Sequence, residues 1–105
     1  MNRVVKVIDG KRYDTAKAEL VYCWQSDYSQ NDINYSEEDL YRTPNGTFFL
    51  VGEGGPRTRW SQQEGTTTTS GRGIVVMEDH EALEWLESRG ADADLIAEYI
   101  PVSEG

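Results

Sequence analysis

The side chains best placed to do chemistry in this chain are few. His80 is the only histidine and stands in EDHEALE, residues 78–84. The string lacks the second histidine that an HExxH zinc site needs, so His80 reads as a solvated or structural residue. Cys23 is the only cysteine, so neither an intramolecular disulfide nor a thiolate metal cluster can form. Beside Trp24 it reads as a small buried hydrophobe. The serines occur without a G-x-S-x-G elbow. Carboxylates abound in SEED (36–39) and EDHE (78–81). General acid–base work needs one of them held in an apolar pocket, and both strings read as solvated. Nothing here assembles a catalytic set, a cofactor site or a metal site.

The stretch FFLVGEGGPRTRW, residues 48–60, raises two binding chemistries. Glycines after a strand can cradle a phosphate, but GEGG lacks the Lys-Ser/Thr of a P-loop and runs into a loop, not a helix N-terminus. Arg57, Arg59 and Trp60 have the residue types that stack on bases and grip phosphates. The chain's formal charge of −9 makes a poor nucleic-acid footprint. Two readings remain: a loop base pinned by Glu53 to Arg57 or Arg59, or a protein-contacting tip, since Arg and Trp are enriched among interface hot spots.

The charge is unevenly placed. Residues 1–20 and 40–77 each carry a net +2, residues 21–39 carry −5, and residues 78–105 carry −8. In the last segment Glu78, Glu81, Glu84 and Glu87 recur every three residues, Asp92, Asp94 and Glu98 extend the series, and Arg89 is the only base. Like charges one helical turn apart repel by a few tenths of a kcal/mol per pair. Such a surface suits a basic partner and can imitate the charge spacing of a nucleic-acid backbone. A plainly solvated helix face is the alternative.

These groups must be positioned by a single domain of 105 residues, long enough to bury a modest core. VVKVIDGKRYD predicts a hairpin, Val4–Ile8 with Lys11–Tyr13 across Asp9-Gly10. Thr15 is a candidate N-cap for a helix over residues 16–25, with Ala16, Leu20, Cys23 and Trp24 on one face; ELVYCW also suits a strand. Residues 26–39 read as a loop. Pro44-Asn45-Gly46 separates Leu40–Thr43 from Thr47–Val51 in the clearest hairpin signal. Residues 53–72 read as a long flexible loop, followed by a strand over 73–77. Glu78 and Asp79 start a helix with Ala82, Leu83, Trp85 and Leu86 inward, which Gly90 stops. A further helical segment buries Leu95, Ile96 and Tyr99 or Ile100 and ends at Pro101. This order predicts an α+β fold: a small, mostly antiparallel sheet with helices packed on one face. The single cysteine, the absence of a long apolar run and the lack of a signal-peptide core predict a cytoplasmic protein with no membrane contact.

GKRYDT (10–15), LYRTPNGTFFLVGEGG (40–55) and ALEWLE (82–87) together resemble a group of short proteins of phages, prophages and other mobile elements. Proteins of this size, charge and setting are similar to anti-CRISPR inhibitors. The resemblance implies a non-enzymatic inhibitor, without cofactor or metal, that binds a host protein with a basic surface such as a Cas effector or surveillance complex. It would act by occupying the surface where nucleic acid binds. Contacts are then expected from Glu78, Glu81, Glu84, Glu87, Asp92 and Asp94, and from Glu53, Arg57, Arg59 and Trp60. An accessory module with another host partner, such as an anti-restriction factor or an antitoxin, is the alternative. A small hydrolase or nuclease with an unrecognised carboxylate site is a further rival.

Overall fold

The computed structural model describes residues 3–105. Asp9 and Gly10 both adopt positive φ, 51° and 78°, as a two-residue hairpin turn requires. They join β1 (Val5–Ile8) to β2 (Lys11–Asp14). Beyond β2 the structure departs from a helical reading of residues 16–25. A single 3₁₀ turn, Thr15–Lys17, leads into β3 (Glu19–Gln25). Asp14 rather than Thr15 caps that turn, accepting from the Ala16 N–H at 3.0 Å. The i, i+4 spacing of Ala16, Leu20 and Trp24 was misleading, because aromatic and β-branched residues of ELVYCWQ gain more by pairing with a neighbouring strand.

That neighbour is β4 (Ser36–Arg42), which starts four residues earlier than the hairpin signal indicates. It pairs with β5 (Phe48–Gly54), and β5 with β8 (Gly71–Met77), giving an antiparallel sheet in the order β3-β4-β5-β8. Residues 53–72 are not a structureless loop either. β5 runs to Gly54, and β6 (Gln62–Glu64) and β7 (Thr67–Thr69) form a polar ribbon. Threonines, good strand formers, supply one side of that ribbon.

Helices α1 (Asp79–Ser88) and α2 (Ala93–Tyr99) cover one face of the sheet, so the fold is α+β. Leu40, Phe48, Leu50 and Met77 of the sheet meet Ala82, Trp85, Leu86, Ile96 and Ile100 there. Each fully buried large apolar side chain contributes about 1.5–3 kcal/mol. Gly90, at φ 75°, closes α1: its N–H donates to the Glu87 carbonyl and that of Ala91 to the Leu86 carbonyl, a Schellman ending. The opposite face is covered in part by the β1-β2 hairpin. Tyr13 packs edge-on to Phe49, and Tyr41 stacks on the same ring, with centroids 5.4 Å apart in both pairs. Asp14 anchors this hairpin, accepting from Arg3 Nε at 3.0 Å and from Arg3 Nη2.

Candidate functional site

The centre of the helix-covered face is polar. Glu38, taken from the SEED string, is 2 % exposed. Strand alternation turns it toward the helices with Leu40, two residues along β4. Its Oε2 accepts from Trp60 Nε1 at 2.8 Å, and its Oε1 accepts from Trp85 Nε1 at 2.7 Å and from Arg89 Nη2 at 2.8 Å. The Arg89 guanidinium lies 4.0 Å from the centre of the Trp24 ring. Two tryptophans and the only C-terminal base thus converge on one carboxylate, and the third tryptophan backs that base. Burial alone would push the Glu38 carboxyl up, but the bonds from Trp85, Arg89 and Trp60 outweigh it and hold the carboxyl below its ordinary range. With its charge paired and both oxygens engaged, Glu38 is a structural keystone, not a free acid.

This arrangement reassigns the glycine-rich stretch. The chain leaves β5 and folds back so that Trp60 lies on Gly52, where an added Cβ would come 2.1 Å from the Trp60 ring. A Cβ at Gly55 would come 2.6 Å from the Ile33 carbonyl oxygen, and the Gly55 N–H donates to the Tyr35 carbonyl at 2.8 Å. Thr58 Oγ1 donates to the Gly55 carbonyl at 2.8 Å and accepts from the Trp60 N–H at 3.2 Å. Trp60 is therefore core and is not an exposed contact; only Arg57 and Arg59 of that loop are exposed. Arg59 covers the Trp60 ring, 4.8 Å from its centre. Among the described residues Glu53 pairs with neither arginine of the loop. It lies opposite Arg72 on β8 and next to Glu37, whose carboxyl shares a hydrogen bond with it.

Glu37, Glu53 and Asp39 lie on the other face of the sheet, in an open cleft of about 350 Å³ bordered by Arg72, Val4 and Val51. The bond with Glu37 raises the Glu53 carboxyl, while the bonds from Glu53 and from the Tyr35 hydroxyl (2.7 Å) lower that of Glu37. Cys23 is on this face as well, exposed, and not on the inner side of a helix. Its partial burial, then the charge of Asp39 opposite, push the thiol up to about 11. Reaction with a disulfide reagent at pH 8 is expected to run about tenfold slower than that of an unperturbed cysteine, because the scarcity of thiolate outweighs its higher nucleophilicity. Asp39→Asn should recover part of that rate; stopped-flow absorbance provides the measurement.

The acidic series falls on the outer side of the helices. Glu78, Asp79, Glu81, Glu84, Glu87, Asp92, Asp94 and Glu98 are all exposed. Arg89, which the sequence offers as their compensation, is turned inward onto Glu38. Among the described residues the ion pairs of this segment are Arg89 with Glu38 and the contact of His80 Nδ1 with Glu78 at 3.4 Å. The buried Glu38 cluster and the inward path of residues 52–60 escape sequence reading. The one signal for them is that a glutamate two residues from Leu40 shares its strand parity. No group of three or more His, Cys, Asp or Glu side chains is arranged to hold a metal ion among the described residues. No described helix is long and apolar enough to cross a membrane. No family model matches the chain, and no curated protein or solved structure matches it.

Proposed function

We propose that this protein is a non-enzymatic inhibitor that binds a basic, nucleic-acid-binding surface of a host protein through the outer face of α1 and the start of α2. The observation that carries the reading is the uncompensated charge of that face. Glu81, Glu84 and Glu87 are exposed on one short helix while Arg89 is committed to the interior. An isolated helix gains nothing from such crowding of like charge, whereas a Lys/Arg-lined channel turns the repulsion into attraction. Most concretely the partner is a CRISPR–Cas effector or surveillance complex in the host cytoplasm, and occupancy of its channel excludes nucleic acid. Electrostatic steering speeds encounter, and Arg57 and Arg59 lie on a separate loop that can add contacts at the rim.

Association is expected to weaken steeply with salt. Reversing Glu81, Glu84 and Glu87 to lysine together should weaken it on the order of ten- to a hundredfold, as the loss of three rim charges implies. Capture of the partner from host lysate by wild type and by the triple variant, at low and high salt, provides the measurement, with mass spectrometry naming the partner. Equal capture by both proteins would rule out the acidic face. A captured restriction enzyme or toxin would move the target outside CRISPR immunity while leaving the contact mode in place.

A further inference from the structure

The two edges of the four-stranded sheet are not alike. β3 carries a bulge, its register slipping between Leu20 and Tyr22, which blunts it as a template for further pairing. β8 is regular over seven residues and lacks proline and lysine. The direction of its hydrogen bonds follows from the β4-β5 turn. The Thr43 N–H donates to the Thr47 carbonyl, and further along the Gly55 N–H donates to the Tyr35 carbonyl. Odd-numbered residues of β5 therefore bond to β4 and even-numbered ones to β8, since the bonds alternate sides along an antiparallel strand. Through the register Leu50 to Val75, the odd residues of β8 bond inward. The N–H and C=O groups of Arg72, Ile74 and Val76 are left facing outward, with no backbone partner among the described residues.

We propose that this edge pairs antiparallel with β8 of a second copy of the chain, on a two-fold axis through Val75. In that register Ile74 of each copy forms the hydrogen-bonded pair with Val76 of the other, and Val75 faces Val75. Arg72 of each copy then stands opposite Glu78 of the other on the same face of the sheet, because Glu78 continues β8 in extended conformation before α1 begins. A short uncharged centre flanked by one base and one acid is self-complementary only in this antiparallel arrangement, and this selects a second copy over an unrelated strand. The product is a continuous eight-stranded sheet. The pairing does not rest on the inhibitor reading: of the expected contact residues it uses Glu78 alone, and Ile74→Pro, which alters none of them, tests it separately.

Sedimentation velocity on the full chain, from about 1 to about 200 µM, spans the affinities expected of a short edge-to-edge interface and should show a monomer–dimer equilibrium. Ile74→Pro removes an outward N–H and none of the β5 bonds, so it should abolish the dimer while circular dichroism stays unchanged. Arg72→Glu and Glu78→Arg should each weaken dimerisation about three- to tenfold, and the two together should restore it. A chain that stays monomeric throughout overturns the proposal. So does a dimer indifferent to Ile74→Pro, or a pair of charge reversals without mutual rescue.

Discussion

Glu38→Ala is expected to lower the free energy of unfolding by about 3–5 kcal/mol, the cost of removing one partner from a buried ion pair. That is a large part of the roughly 5–15 kcal/mol that a domain has to lose. The carboxylate satisfies two indole N–H groups and a guanidinium at once, with bonds of 2.7 to 2.8 Å. Truncation leaves all three donors facing a cavity, and Arg89, sandwiched at Trp24, keeps its charge without a counter-ion. Glu38→Gln keeps the volume and an acceptor oxygen, so it should cost less than the alanine variant. Urea denaturation monitored by circular dichroism measures both.

The same group sets an acid limit. The folded-state carboxyl is held below the ordinary glutamate value of about 4.3. Its contribution is therefore complete above that pH and is lost as pH falls through the depressed folded value. Asp14, held low chiefly by its hydrogen bond from Arg3, adds to the trend in the same direction. Glu53 works oppositely, since its raised carboxyl favours the fold most when protonated and loses that contribution as pH rises. In Glu38→Gln the acid limb of the stability profile should flatten, whereas a profile identical to wild type would deny Glu38 this role.

Elements whose local signals agree with their tertiary setting were legible in the sequence. The Asp9-Gly10 turn, the Pro44–Gly46 hairpin, the strand before Glu78 and both helices, with Ala82, Trp85, Leu86 and Ile96 inward, follow from turn chemistry and periodicity. Residues 19–25 were ambiguous because a bulge breaks their alternation: Val21 and Tyr22, neighbours in sequence, both join the helix-side core. SEED read as a solvated loop because its residues are polar, yet a buried glutamate is permitted wherever donors from elsewhere in the chain converge on it. Those donors lie 22, 47 and 51 residues away, and no local pattern announces them. The candidate contact surface was half legible. The acids of α1 are exposed as the helical period requires, but the inward turn of Arg89 onto Glu38 and Trp24, and the burial of Trp60 between Glu38 and Gly52, depend on distant residues.

Gly52→Ala should be as damaging as losing a core aromatic, about 3–5 kcal/mol, although it adds only one methyl group. The new Cβ would stand 2.1 Å from Trp60 Cε2 and 2.6 Å from Trp60 Nε1. Gly52 itself is part of a central strand, held by β4 on one side and β8 on the other, and the backbone has no room to retreat. Relief requires expelling the indole, which breaks its bond to Glu38 and strips Arg59 of the ring beneath it. The cause can be isolated by a double-mutant cycle. In a Trp60→Ala background the space over Gly52 is empty, so Gly52→Ala should cost less than about 1 kcal/mol there, giving a coupling of about 2 kcal/mol or more. Equal costs in both backgrounds would mean that the strand needs glycine for its own backbone and that the ring is incidental. Gly52 thus serves an aromatic ring where a phosphate cradle would leave open space, while Gly54 and Gly55 make room for Thr58 and the Ile33 carbonyl as the chain folds back.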